Sequence, residues 1–311
     1  MEATMKLNSH NNKNKNKIKT CKQDKIFNAV NITFLVICLI IFIYPLVFVL
    51  SASITKPSDV LSGKMFLFPT SLYFEGYKAI FEYEQLWTGF LNSIIIVVFG
   101  SALNMAVTFT VGYAFSRKDF FGKRFFMIFF IFAMFFGGGL IPTYLLVSET
   151  LGMNNSLLAL IIPSAVSVWN IILAKTYFSS SLSDELLEAA KIDGCGNIEF
   201  FFKIAIPLAK PIIAVILLYN VVGRWNSYFD ALIYLQDPNL FPLQLVIRNL
   251  INENQITNLD PNAGQISIDA MYKAEGMKYG VIILSTIPML IIYPFVQKYF
   301  IKGVMVGSLK G

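Results

Sequence analysis

Between residues 188 and 211 the chain reads EAAKIDGCGNIEFFFKIAIPLAKP, a polar stretch set between two apolar runs long enough to cross a bilayer. Its chemistry is that of contact rather than bond-making. Glu188 stands beside Ala189 and Ala190, one charge next to two minimal side chains, which lets a second helix or a groove approach closely. Ser181-Leu182-Ser183-Asp184 fits a capping box, Ser181 taking the first amides and Asp184 reaching back. Leu182, Leu186, Leu187, Ala189 and Ala190 favour a short helix, Asp193-Gly194 makes the turn, and Gly194 can close the helix in a left-handed cap. A second short helix over 197–204 ends before Pro207, and Pro211 opens the next span as a first-turn proline. Taken alone, the same residues also suit an amphipathic hairpin resting on lipid headgroups.

The other candidate group lies at membrane depth. Arg224 sits roughly 20 Å into an apolar run at the helical rise per residue, where a charge is costly and faces a bundle interior or a wet cavity. Asn220, Arg224 and Ser227 share one helical face with Tyr228 adjacent, Asn226 follows in the same stretch, and Trp225 and Phe229 form the neighbouring stripe. Amide, charged and aromatic groups gathered at that depth can line a path for a polar solute, so Asn220, Arg224, Trp225, Asn226 and Tyr228 are candidates for a substrate pathway. The alternative is structural: Arg224 pairs with a carboxylate such as Asp230, and Trp225 packs between helices. Asn104, Thr108 and Asn170 are read as glue between helices, Trp169 and Tyr177 as interface anchors.

Enzymatic chemistry finds no support. His10 is the sole histidine, and Cys21, Cys38 and Cys195 are scattered without a Cys-x-x-Cys pair, so neither a zinc site nor a disulfide framework is indicated. The spans hold no carboxylate cluster and no Ser/Lys dyad. No Gly-x-x-x-x-Gly-Lys-Ser/Thr occurs, so the chain has no phosphate-cradling loop of its own. The expectation is a chain that is no enzyme and binds no metal or nucleotide.

The elements that position these residues are legible from charge. The 311 residues are 56% hydrophobic and only 14% charged, with mean hydropathy +0.62, against about 25% charged in soluble domains. Residues 26–55, 85–116, 125–148, 150–174 and 279–297 carry no charge, and a sixth run between Lys210 and Asp237 is interrupted only by Arg224 and Asp230. Roughly 20 apolar residues cross a bilayer. The fold class expected is therefore all-α, a polytopic membrane protein with six transmembrane helices near 28–52, 88–114, 124–140, 155–175, 210–234 and 279–299. No cleavage site of the signal-peptide kind accompanies the first span, which is read as retained. Gly137, Gly138, Gly139 and Pro142 interrupt helix geometry, and Asp237, Pro238, Asn239, Pro242, Asp260 and Pro261 mark a turn-rich external loop over 236–277.

Eighteen Lys and Arg fall on the side of both termini and residues 176–210, and six on the other. Cationic flanks mark the cytoplasmic side, which puts both termini and the hairpin in the cytoplasm of a multi-pass plasma-membrane protein. The net charge of +6 is then topological. The Lys- and Asn-rich tail, 1–25, lacks Arg and aromatics, so it is read as disordered and drawn to anionic lipid rather than to nucleic acid.

The 188–211 stretch resembles the EAA motif, Glu-Ala-Ala-x-x-Asp-Gly followed by x-Ile-x-x-Pro-x-x-x-Pro, of binding-protein-dependent importer permeases. The likeness runs from about residue 26 onward and is greatest to carbohydrate ABC importer permeases of the maltose-permease class, smaller-subunit type. Asn92-Ser93, Tyr113-Ala114-Phe115-Ser116-Arg117 with Gly122-Lys123-Arg124, and the carboxyl end 293–311 carry it; stretches 137–146, 151–163, 224–238 and 240–250 resemble a polysaccharide-fragment subgroup. The resemblance implies the type I ABC importer permease fold: a basic tail 1–25, a six-span domain 26–302 with the coupling hairpin at 181–211, and a tail 303–311 that reaches the ATPase interface. It implies a heterodimer with a second permease, an ATPase dimer that binds ATP and Mg, an extracytoplasmic solute-binding protein, and an oligosaccharide cargo, with amino acids or polyamines as the alternative. Glu188, Ala189, Ala190, Asp193 and Gly194 would lie in a cleft of the ATPase. Cys195 stands where the family usually has Ala.

Overall fold

A chain surrounded by hydrocarbon has no water to satisfy its backbone, so it bonds to itself as helix. The computed structural model describes residues 21–259 and 268–308, and those residues form helices and connections with no strand. The tail up to residue 20 with His10, the loop residues Asp260 and Pro261, and Lys310 lie outside them. Two units are distinguished, residues 1–48 and 49–311. What is described of the first belongs to α1 (Lys22–Ser53), which begins within the stretch expected as a tail. It is apolar on every side, the pattern of a helix among lipid or other apolar helices.

In the second unit, α2 (Pro57–Leu61) and α3 (Glu75–Glu82) precede α4 (Glu84–Ser116), the spine against which most of the rest packs. Then come α5 (Lys123–Phe135) and α6 (Leu140–Leu145), α7 (Leu158–Ile161) and α8 (Val168–Ser181), α9 (Asp184–Ile192), α10 (Asn197–Phe200) and α11 (Ile206–Leu208), and α12 (Lys210–Trp225). The chain continues with α13 (Phe229–Tyr234), α14 (Leu243–Leu259) and α15 (Ile268–Ser308). Lys22–Ser53, Glu84–Ser116 and Ala274–Pro294 are each long and apolar enough to cross a membrane. Three bent pairs bring the number to as many as six: Lys123–Phe135 with Leu140–Thr150 at 112°, Leu158–Ala165 with Val168–Ser181 at 44°, and Asn197–Leu208 with Lys210–Trp225 at 78°. The sharpest bend falls at the triple glycine, as the sequence predicts.

The helices approach closely where side chains are small. A methyl group on Gly112 of α4 would stand 2.7 Å from the Ala174 Cβ of α8, so that crossing tolerates nothing larger. Deeper in the unit, Asn104 is 1% exposed and ties three helical segments. Its amide donates to the Ala165 carbonyl at 2.9 Å, while its side-chain oxygen accepts from Asn220 at 2.9 Å and from the Thr108 hydroxyl at 3.2 Å.

Four expectations are corrected. The fifth span stops at Trp225 rather than running to 234: the Asn226 side-chain amide takes the Val222 carbonyl at 2.8 Å, and the Ser227 amide tightens to the Arg224 carbonyl, three residues back, at 3.3 Å. The described part of the loop 236–277 is largely helix: its first group of turn residues ends at Pro242, after which α14 begins, and Asp260 and Pro261 lie outside the described residues. Pro207 lies inside α11, after a π-helical turn at Phe201–Ala205 whose wider bonding precedes the missing proline N–H. Ser183, not Ser181, caps the hairpin helix, since Ser181 still belongs to α8.

A projecting hairpin and a membrane-depth arginine

The hairpin is built from its caps inward. Ser183 Oγ accepts from the Leu186 amide at 3.3 Å, with Asp184 and Glu185 in the first turn and Lys191 in the last, the charge order that complements a helix dipole. At the other end Gly194 takes φ +81°, and the Cys195 and Gly194 amides close on the Ala190 and Lys191 carbonyls at 2.9 and 3.0 Å. That is a complete Schellman cap, and it sends the chain straight into α10.

Nine residues give α9 one inner face. Leu187 and Ala190 are buried with Phe200, against Phe109, Phe178 and Ala174 from α4 and α8. Tyr113 seals the cluster, its ring 5.7 Å from Phe178 and 5.0 Å from Phe201. Lys118, in the loop after α4, hydrogen-bonds Asp184 at the start of α9. Its ammonium holds the Asp184 carboxyl below the usual carboxylate range, and the Lys118 pKa is raised in return. Of the candidate contact residues, Glu188, Ala189, Asp193 and Gly194 are exposed, whereas Ala190 turns inward and serves packing. Ile192, 86% exposed, lies one turn beyond Glu188 on that outer face and completes an apolar edge beside the charges. Its signal was in the sequence all along, at i+4 from Glu188.

The candidates around Arg224 divide in two. Asn220 and Trp225 are spent internally: Asn220 on Asn104, Trp225 on the Ser285 carbonyl of α15 at 3.0 Å within a buried apolar cluster. Arg224 donates to Ser164 Oγ at 2.7 Å and to the Ser164 carbonyl at 2.8 Å. It makes no ion pair with Asp230, nor with any carboxylate among the described residues. A methyl on Gly100 would stand 2.6 Å from the Arg224 Cζ, so α4 leaves the guanidinium its slot. A cavity of about 190 Å³ opens there, bounded by Ile96, Ser164, Arg224, Ser227, Asp230 and Pro242. Asn226 and Tyr228 are exposed, and the Arg248 guanidinium lies 5.6 Å over the Tyr228 ring.

Sequence reasoning missed the clamps on the segment that follows. Asn92 donates to the Asn239 and Phe241 carbonyls at 2.7 and 3.2 Å, and Ser93 accepts from the Leu243 amide at 2.8 Å. Asn155, at φ +52°, accepts from the Gln236 and Asp237 amides. Asn92-Ser93, and Asn155 within the stretch 151–163, were visible only as a likeness.

Described residues that form only helices and connections, with three helices long and apolar enough to cross a membrane and up to six if each bent pair is one span, define a polytopic helical membrane protein. No family model matches the chain. It is 37% identical over 290 residues to Protein LplC of Bacillus subtilis (strain 168), covering 93% of this chain and 97% of that one. It is 35% identical over 289 residues to the polygalacturonan/rhamnogalacturonan transport system permease protein YtcP of the same organism, covering 93% and 100%. A solved bacterial ABC transporter involved in the import of the acidic polysaccharide alginate has a chain that aligns with TM-score 0.82 at 33% identity, over 90% of this chain and 99% of that one. The chain therefore belongs to the permease subunits of carbohydrate ABC transporters; it is a transport subunit and not an enzyme.

Proposed function

We propose that this chain forms half of the translocation pathway of an ATP-driven oligosaccharide importer and couples to its ATPase through the hairpin 181–211. The other half is a second permease subunit, the cargo arrives from an extracytoplasmic solute-binding protein, and ATP with Mg is held by an ATPase dimer. Both termini and the hairpin face the cytoplasm, in keeping with the distribution of Lys and Arg. The reading rests on one observation: α9 and its C-terminal cap Asp193 present Glu188, Ala189, Ile192 and Asp193 outward while Leu187 and Ala190 root the helix in the bundle.

The mechanics follow from the connections. A load on α9 passes through the Schellman cap to α10 and α11, then through the 78° bend into α12, whose last turn carries Arg224 beside the cavity. Within the pathway, Asn226, Tyr228 and the open edge of Arg224 offer the amide, aromatic and charged surfaces that a saccharide uses. The names of the relatives support carbohydrate over amino acid or polyamine cargo. The test is Glu188→Lys: the protein should fold and insert as before, yet lose co-purification of the ATPase and saccharide uptake. Normal uptake by that variant would refute the coupling role.

A further inference from the structure

A second cavity, of about 460 Å³, lies where the loop after α4 meets the first turns of α5 and the middle of α8. Lys118, Lys123, Arg124 and Lys175 converge on it, with Met127 and Ile128 completing its wall. No carboxylate among the described residues lines it, and two on the adjoining segments are already engaged, Asp184 with Lys118 and Asp119 with Arg117. Lys123, Arg124 and Lys175 form no ion pair among the described residues; Lys123 donates only to the Arg117 carbonyl, at 3.2 Å. Lys118 and Lys175 stand close enough to Lys123 to repel its ammonium. Cations gathered this way at a bundle surface are stabilised by an anion placed among them.

We propose that this pocket binds the phosphate headgroup of an anionic phospholipid. The apolar wall decides between a lipid and a free anion. Met127 and Ile128 follow Lys123 and Arg124 by one helical turn, about 5.4 Å along α5, so the cations sit at the rim and the apolar groups below them. Ile128 is 60% exposed, and Phe125 and Phe129 beside it are 70% and 60% exposed, a surface for an acyl chain directly beneath the headgroup. Inorganic phosphate would use the cations and leave that surface unfilled. Basic pockets between membrane helices are a known chemistry for acidic headgroups. Because Lys118 also bonds Asp184, an occupied pocket sets one anchor of the hairpin. The assignment holds whichever compartment the hairpin faces, so it stands or falls apart from the coupling role.

The experiment is native mass spectrometry of the full chain, purified in mild detergent and titrated with phosphatidylglycerol or phosphatidylcholine. Wild type should retain phosphatidylglycerol and release phosphatidylcholine. Lys123→Gln/Arg124→Gln/Lys175→Gln should weaken phosphatidylglycerol retention roughly a hundredfold, the effect of three surface cations. Two controls guard against a misfolded variant and against attraction by the amino-terminal tail: Lys123→Arg and Lys13→Gln/Lys15→Gln should both retain the lipid as wild type does. Equal retention by the triple variant, equal retention of phosphatidylcholine, displacement by millimolar inorganic phosphate, or loss in either control would overturn the site.

Discussion

At the scale of the residue, the protein separates polar groups that bind it together from polar groups left for others. Asn104 is of the first kind. Asn104→Ala would take the acceptor from the Thr108 hydroxyl and from one N–H of the Asn220 amide, which keeps its bond to the Ile216 carbonyl, at a cost of about 1–3 kcal/mol, and thermal unfolding in detergent should register a lower Tm. Cys195 is of the second kind, half-buried beside the hairpin turn. Burial first, and the Glu199 carboxylate next, push its thiol up. The thiol is the neutral form, so at neutral pH less thiolate is present than for a free cysteine, and alkylation should keep accelerating well into the alkaline range. Glu199→Gln removes the nearby negative charge and should speed labelling at a fixed neutral pH; an unchanged rate would show that the carboxylate has no hold on the thiol. Asp184 works with the opposite sign. Its lowered pKa means that the bond to Lys118 is present above the ordinary carboxylate range and is lost as pH falls through the folded-state value.

Among elements, close approach is bought with small side chains and fixed by caps. The α4–α8 crossing depends on Gly112 against Ala174, and Gly112→Val should cost about 1–3 kcal/mol by overpacking, again read as a lower Tm. Gly194→Ala strains a left-handed cap by about 1 kcal/mol and should raise proteolysis within the hairpin while sparing the spans. The spans were legible in the sequence because charge is so expensive in hydrocarbon that its absence over a full crossing has few other meanings. Their ends were not. Asn226 ends α12 through its own amide, although apolar and aromatic residues continue to Tyr234. Turn signals at both ends of the following loop, up to Pro242 and again at Asp260, made it read as irregular, and Leu243 to Leu259 had no span-like run of apolar residues to announce a helix. Ser181 and Ser183 both precede an acidic turn, and the choice between them rests on how far α8 continues, which is a matter of Phe178 packing into the core.

For the whole molecule, the hairpin was readable as a short helix closed by a glycine turn, but the inward facing of Ala190 was not, because that depends on how α9 seats on Phe178 and Phe200. The seating turns Ala190 inward and brings Ile192 to the surface. The chain runs from that exposed, charged patch through the 78° bend to the cavity beside Arg224, and the proposed coupling rests on that continuity. The most direct test uses Ala189→Cys in the assembled importer, built on a Cys21→Ser/Cys38→Ser/Cys195→Ala background so that the native free thiols do not react, treated with a short bifunctional thiol–amine cross-linker, with Asn239→Cys on the same background as the comparison. The account predicts a cross-linked product with the ATPase subunit from position 189 and none from position 239. A product from position 239, or none from 189 while the complex stays intact and active, would contradict it.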